Sequence, residues 1–273
     1  MPLTDPKISV ITVVRNGAET LEDTIHSVAS QDYPRIEHVV IDGASTDGTL
    51  DVVRRHRDKI AVFQSEADRG MYDAMNKGLA LATGEIVGFL NADDVYADAR
   101  VLREIADTLW ASEVDACYGD LVYVHRTDAS KVVRYWKSRS YRDGLFEAGW
   151  MPAHPTFYAK RWIYDKFGGY DLAYRRQSDF ELTMRFLAVH HVRSVYIPRV
   201  LVRMRSGGAS RELWHILVGN LEAYRACRKH QLPVTPFFIV RKIARQIFRP
   251  IFKMNTLHMY FTRSFLIQNF RQK

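Results

Sequence analysis

Lys7-Ile-Ser-Val-Ile-Thr-Val-Val14 is a β-branched run with almost no polar alternation. That is the pattern of a strand buried on both faces of a parallel sheet. Working outward, residues 18–30 carry Leu21, Ile25 and Val28 at helical spacing, and residues 36–41 read as a second strand that ends in Asp42-Gly43. Ser45 or Thr46 suits the cap of a helix over residues 47–56. A third strand over 60–64, a helix over 71–82 and a fourth strand over 85–90 follow, the last running into Asn91-Ala-Asp-Asp94. Four strands alternating with helices in about 90 residues predict βαβ units in a doubly wound half-domain.

The second half is less regular. Strands are expected over 114–124, 132–136, 154–159, 192–197 and 200–205, and helices over 178–188 and 211–229. Pro233 and Pro236 separate the last helix from a further segment, 237–253 and beyond.

The chain has 273 residues, 47% hydrophobic and 26% charged, which excludes a disordered or collagen-like protein. Its two cysteines, Cys117 and Cys227, are too few for a disulfide framework or a four-thiolate site and suit a reducing compartment. Met1–Val10 lacks a basic region followed by an apolar one, so no secretory signal is expected. No apolar run approaches the roughly 18–20 residues that span a bilayer. A cytoplasmic protein, peripheral on the inner membrane, is the expectation.

The net charge of +8 is unevenly placed. Residues 211–273 hold twelve Lys/Arg against Glu212 and Glu222, a net of +10, which leaves −2 for the first 210 residues. On a helical projection of 237–253, Arg241, Lys242, Arg245, Arg249 and Lys253 share one arc, while Ile239, Val240, Ile243, Ala244, Ile247 and Ile251 oppose it. A cationic amphipathic helix of this kind suits an anionic membrane interface. Packing of its apolar side on the rest of the chain, or a dimer contact, suits the same pattern. No nucleic-acid recognition motif accompanies the charge, so no nucleic-acid partner is expected.

Ligands of an open α/β sheet bind at the carboxyl ends of its strands. Asp42 lies at one such end, and Asp93 and Asp94 at another. Adjacent carboxylates repel unless a cation joins them, and Mg²⁺ commonly shares its oxygen shell with a substrate diphosphate. A turn that caps the next helix would use the same residues. The chain has neither G-x-G-x-x-G after the first strand nor G-x-x-x-x-G-K-[ST], which argues against dinucleotide oxidoreductases and P-loop NTPases.

Ile8-Ser-Val-Ile-Thr-Val-Val-Arg-Asn16, Val40-Ile-Asp-Gly-Ala-Ser-Thr-Asp-Gly-Thr49, Asp68-Arg-Gly-Met-Tyr-Asp-Ala-Met-Asn-Lys-Gly78 and Ala82-Thr-Gly-Glu-Ile-Val-Gly-Phe-Leu-Asn-Ala-Asp-Asp94 together resemble the family 2 (GT-A type) glycosyltransferases. The likeness is nearest to the bacterial O-antigen and surface-polysaccharide subgroup and covers about residues 7–205. It implies a GT-A, Rossmann-like α/β fold, a mostly parallel sheet flanked by helices with a C-terminal helical extension. Residues 1–210 would be the catalytic domain, with 1–112 its nucleotide-binding half and 113–210 its acceptor half, and 211–273 the basic amphipathic tail.

The resemblance also implies roles. Asp42 would bond the nucleotide base, with Thr12, Asn16 and Asp68 also on the nucleotide side. Asn91-Ala-Asp-Asp94 would be the DXD-type motif, Asp94 holding Mg²⁺ or Mn²⁺ and Asp93 sharing the metal shell or the ribose. Its first residue is Asn91 rather than Asp, and Met75 stands where many relatives carry Arg. Phe167-Gly-Gly-Tyr-Asp171 and Gln177-Ser-Asp-Phe-Glu-Leu182 resemble the family's acceptor-side segments, which makes Asp179 the catalytic base, with Ser178 in place of the usual Glu and Glu181 on another helix face. His154-Pro155-Thr156 resembles a segment that touches acceptor or diphosphate. Trp150 and Tyr174 suit either sugar stacking or the core. The expected reaction is inverting transfer from a nucleoside-diphosphate sugar, UDP-linked, to a glycan or lipid-linked acceptor. A sugar-1-phosphate nucleotidyltransferase, or a membrane-docked nucleotide-binding adaptor without catalysis, would share parts of this pattern.

Overall fold

The computed structural model describes residues 5–111, 113–206 and 213–248. Its centre is β1 (Ile8–Val14), every residue of which is buried. β1 pairs in parallel with β2 (Ile36–Asp42) on one side and with β4 (Ile86–Phe89) on the other, and β3 (Val62–Ser65) pairs in parallel with β2. The register sets Val14 beside Asp42 and Asp42 beside Ser65, so the strand ends that should carry ligand are level. Crossover helices α1 (Leu21–Ala29), α2 (Thr49–Arg55) and α3 (Met71–Leu81) join these strands, as the alternation of apolar runs requires.

Beyond β4 the sheet becomes mixed. β8 (Tyr158–Lys160) runs antiparallel to β4 and to β6 (Ala116–His125), which pairs in parallel with β9 (Ser194–Arg205). β5 (Val95–Tyr96) closes this edge against β9, and β7 (Asp128–Trp136) folds back on β6 as a hairpin. The nine strands therefore run β3-β2-β1-β4-β8-β6-β9-β5, with β7 off that path. The α/β class and the mostly parallel, helix-flanked sheet are those expected.

Several local expectations change. The strand expected over 154–159 divides into a 3₁₀ turn (His154–Thr156) and β8, because Pro155 lacks the N–H that a ladder needs. The two strands expected over 192–205 are one, β9, with its register on β6 shifting beside Pro198. The helix expected over 178–188 is α6 (Ser178–Met184), which opens into a π turn (Arg185–Val189). The third strand begins at Val62, after a 3₁₀ turn over Arg57–Lys59. α4 (Val101–Ala111), α5 (Arg161–Phe167) and β5 have no counterpart in the sequence reading.

α7 (Leu213–Lys229) and α8 (Phe237–Phe248) follow. Ala223, Ala226, Cys227 and Phe238 join the same core cluster as Phe180 and Tyr72. The facing of α8 is a correction to the projection. Lys242 is 4% exposed, and its Nζ donates to Gln177 Oε1 at 2.8 Å and sits 4.1 Å from the Phe180 ring centre. Phe237 and Val240 are exposed instead. A cation over an aromatic face with an amide acceptor offsets its burial, which helix periodicity cannot foresee. Arg249, Lys253 and the rest of the tail lie outside the described residues. No helix among the described residues is long and apolar enough to cross a membrane.

Candidate active site

The first part of the site is the turn after β2. Asp42 is fully buried, and its carboxylate accepts hydrogen bonds from the Ser45 backbone N–H (3.0 Å), the Ser45 hydroxyl and the Ser65 hydroxyl (2.6 Å). Asn16, with φ of 54°, donates its N–H to Ser45 Oγ at 2.8 Å, while its Oδ1 accepts the Thr46 N–H at 2.9 Å. Asp47, rather than Ser45 or Thr46, meets the start of α2, accepting the Thr49 N–H at 2.9 Å. Asp68 packs over Gly43 so closely that a Cβ there would stand 2.2 Å from Asp68 Oδ2. Only glycine permits that approach. Asn16, Asp42 and Asp68 are thus brought together around one turn.

Thr12 is set apart from them. It is fully buried two residues before the end of β1, with its hydroxyl 3.0 Å from His38 Nε2. Burial lowers the His38 pKa to about 4, so this imidazole stays neutral.

The second part follows β4. Asp94 N–H donates to Asn91 C=O at 3.0 Å, closing the turn, and the Thr24 hydroxyl ties Asp94 C=O to α1 at 2.9 Å. The Asp94 side chain is fully buried. Its Oδ2 accepts from Asn91 Nδ2 at 3.0 Å, but Oδ1 is buried with no hydrogen-bond partner. Burial and then the neighbouring Asp93 charge push the Asp94 pKa well above the usual carboxylate range. Burial also raises that of Asp93, against the opposing charges of Arg205 and Arg126. Arg205 Nη1 donates to Asp93 C=O at 3.3 Å and its guanidinium pairs with Asp23. A buried oxygen that forms no hydrogen bond, beside a second carboxylate whose charge burial also disfavours, fits an oxygen-ligated divalent cation held by Asp94 and Asp93. Asn91 turns its amide onto Asp94, so the motif's first residue supports this pair rather than adding a third carboxylate.

The third part is Asp179, in the first turn of α6 and 9% exposed. Its Oδ1 accepts from the Tyr72 hydroxyl at 3.1 Å and from the Phe180 N–H at 2.9 Å. Its Oδ2 lies 3.2 Å from His154 Nδ1. Tyr72 stacks on Tyr170 with ring centres 5.2 Å apart, and burial, then the Asp179 charge, raises its pKa well above the usual value. Asn76 holds Tyr170 by both backbone groups, at 2.8 Å each, and a Cβ at Gly169 would stand 2.4 Å from Asn76 Oδ1. The Phe167–Asp171 segment is therefore clamped to α3. Ser178 caps nothing catalytic, its hydroxyl donating to Asp171 C=O at 2.9 Å.

Glu181 faces away from Asp179, as its spacing implied. It is 1% exposed and accepts from Arg185 Nε at 2.9 Å, with His230 Nε2 at 2.7 Å. Burial raises its pKa, but the His230 and Arg185 contacts outweigh this and hold it below the usual value. Trp150 (3% exposed) packs on Tyr118, Tyr141 and Phe146, and Tyr174 (6%) is also core. Met75 is buried and presents nothing to a phosphate.

α3 links the two sides. Asp68 Oδ1 accepts the Gly70 N–H at 2.8 Å just before α3, and Tyr72 in its first turn reaches Asp179. Asp68 lies three residues before the start of α3, and Tyr72 is the second residue of that helix. Tyr72, Asn76 and Arg205 were not singled out from the sequence. Tyr72 and Asn76 sit inside a quoted motif, but their partners are roughly a hundred residues away.

Carboxylates at the carboxyl ends of parallel strands, with a further buried carboxylate in the first turn of α6, suit a nucleotide-sugar-dependent transferase of the GT-A fold. Residues 9–175 match the family description Glycosyl transferase family 2. The chain belongs to that family. An uncharacterized glycosyltransferase of Mycobacterium tuberculosis is 34% identical over 182 residues, 66% of this chain and 68% of that protein. Among solved structures, S. aureus TarS in complex with UDP-GlcNAc superposes with a TM-score of 0.63 at 19% identity, covering 88% of this chain and 72% of that one. The mannosyltransferase PcManGT of Pyrobaculum calidifontis, in complex with GDP-Man and Mn²⁺, gives 0.60 at 23% identity over 97% and 81%.

Proposed function

We propose that this chain is an inverting, Mg²⁺- or Mn²⁺-dependent hexosyltransferase. It moves one sugar from a UDP-linked donor to a glycan or lipid-linked acceptor in bacterial surface-polysaccharide synthesis of the O-antigen type. The observation that carries the reading is the division of carboxylates. Asp94 and Asp93 form a pair that needs a cation, while Asp179 has one oxygen, Oδ1, fully engaged and the other, Oδ2, turned toward His154. One free carboxylate oxygen suits a reaction that removes one proton.

The acceptor hydroxyl gives its proton to Asp179 Oδ2 as its oxygen attacks the anomeric carbon from the face opposite the nucleotide. The bond from that carbon to the diphosphate oxygen breaks, and the configuration inverts. A second glycosidase-type carboxylate is unnecessary because diphosphate is already a good leaving group. Asp94 and Asp93 would hold the divalent cation, whose positive charge would stabilise the diphosphate as a leaving group. Asp42 is assigned to the base, with Asp68 beside it. Asn16 holds their turn in shape, and Thr12 supports the strand end from within the sheet. Residues 1–210 are assigned as the catalytic unit and 211–273 as its basic extension.

Exposed Phe237, Val240 and Arg241 on α8, and a chain with no carboxylate after Glu222, support peripheral docking on an anionic cytoplasmic leaflet. Cosedimentation with phosphatidylglycerol vesicles but not with phosphatidylcholine vesicles is the expected result. A panel of nucleotide sugars should show one donor whose nucleoside diphosphate is released only with Mg²⁺ or Mn²⁺. Full transfer activity in Asp179→Asn would overturn the assignment of the base.

A further inference from the structure

His154 sits where the base is least supported. It begins a 3₁₀ turn that is fixed to β6: the Gly119 N–H donates to Thr156 Oγ1 at 3.0 Å, and the Thr156 hydroxyl donates to Ala153 C=O at 2.7 Å. The Trp136 ring meets the imidazole edge to face, centres 6.5 Å apart. The side chain is 27% exposed, so the ring is held by its neighbours and still reaches solvent. Its Nδ1 is buried and 3.2 Å from Asp179 Oδ2, yet not aligned as a formed hydrogen bond. Contacts of this kind commonly tighten only when substrate is bound.

We propose that His154 is the positioning residue of the base, its Nδ1–H closing on Asp179 Oδ2 when the acceptor is seated. This rests on Asp179 being that base. Tyr72 and the Phe180 N–H fix Oδ1, so the carboxyl group can still pivot about that point. A donor on Oδ2 stops the pivot and leaves the second lone pair of Oδ2 for the acceptor hydroxyl. The other titratable groups around Asp179 leave this task to His154. Tyr72 and Tyr170 are held neutral by burial, Lys242 is engaged by Gln177 and the Phe180 ring, and Glu181 is occupied by Arg185 and His230 on the far side of the helix.

The test compares His154→Ala, His154→Asn and His154→Gln with Asp179→Asn, reading Mn²⁺-dependent UDP release from a UDP-sugar panel, with thermal melts to verify folding. The asparagine amide nitrogen reaches the place of Nδ1, and the longer glutamine overshoots it. His154→Ala and His154→Gln should lose about tenfold or more in kcat with the donor KM unchanged. His154→Asn should restore the rate. The proposal is overturned if the alanine variant keeps its rate within about twofold, if the donor KM rises in step with the fall in kcat, or if asparagine does not rescue. If Asp179→Asn is itself fully active, the base assignment fails instead, and the two failures are told apart by that variant alone.

Discussion

Replacing His38 by Gln should flatten the acid dependence of stability. His38 is 2% exposed in β2, its Nδ1 has no partner, and burial lowers its pKa to about 4 from an ordinary 6.5. The native state therefore resists a proton that the unfolded chain accepts below about pH 6.5. The stabilisation is fully present above that pH and is lost progressively as pH falls toward 4. A difference of 2.5 pH units between the two states corresponds to about 3 kcal/mol, of which about 2.5 kcal/mol is gone by about pH 4.5. Urea unfolding at about pH 7 and about pH 4.5 measures it, the upper range being free of carboxylate titration. His190 is shifted the same way, by burial first, so the quantity to read is the difference between wild type and variant. Glutamine keeps a polar partner for Thr12, so the variant should remain folded. Wild type should lose about 2.5 kcal/mol more than His38→Gln across this window. Parallel losses, within about 0.5 kcal/mol, would refute the argument that a neutral, buried imidazole sits in β2.

Asp94→Asn keeps the shape of the turn and removes a buried charge, so its Tm should hold or rise while metal-dependent UDP release falls about a hundredfold or more. Mn²⁺ should raise the Tm of wild type and leave this variant unmoved, read by thermal melts with and without the ion. Gly43→Ala places a methyl group 2.2 Å from Asp68 Oδ2, so the Asp68 carboxylate must swing away from the turn after β2. Calorimetry should show UDP affinity falling about tenfold with little change in stability. Glu181→Gln strands Arg185 and His230 around a neutral amide, which should cost about 3 kcal/mol in urea unfolding without shifting the acidic limb of activity.

The parallel half of the sheet was legible because its strands are buried on both faces and read as unbroken apolar runs. Strand-end position then marked Asp42, Asp93 and Asp94 from chemistry alone. The mixed half was not readable in that way. β5 has two residues and β8 three, too short for any periodicity, and β9 passes through Pro198. Long-range contacts account for what was missed at the site. Tyr72 and Asp179 are 107 residues apart, and Asn76 and Tyr170 are 94 apart, so nothing local announces either pair. His154 was singled out by resemblance for the acceptor or the diphosphate, and its place 3.2 Å from Asp179 Oδ2 is a contact that the resemblance did not supply. Thr12 shows the limit of placing a residue by its motif. The β1 register puts it opposite Val40, one step from His38, and its hydroxyl is used there.

Composition separates a −2 body from a +10 extension, but the described contacts join them at the helix of the base. Glu222, one of the extension's two carboxylates, accepts the N–H groups of Arg176 at 2.8 Å and Gln177 at 3.1 Å, just ahead of α6. Unsatisfied N–H groups at a helix start favour an anion there, so this contact steadies the turn that carries Asp179. Lys229 pairs with Asp171 at 2.6 Å on the segment clamped by Asn76. Lys242 then reaches Gln177 and Phe180, the residues two before and one after the base. Three charged side chains of α7 and α8 thus brace the segments around Asp179, two of them cations that the net charge alone would assign to solvent or lipid. The surplus that remains for a membrane is carried by side chains such as Arg241, which is exposed while Lys242, its neighbour in sequence, is not. If α8 docks on an anionic surface as proposed, the Lys242–Gln177 contact ties that surface to the start of the helix that presents Asp179, and the position of the proposed base would then depend on where the extension rests.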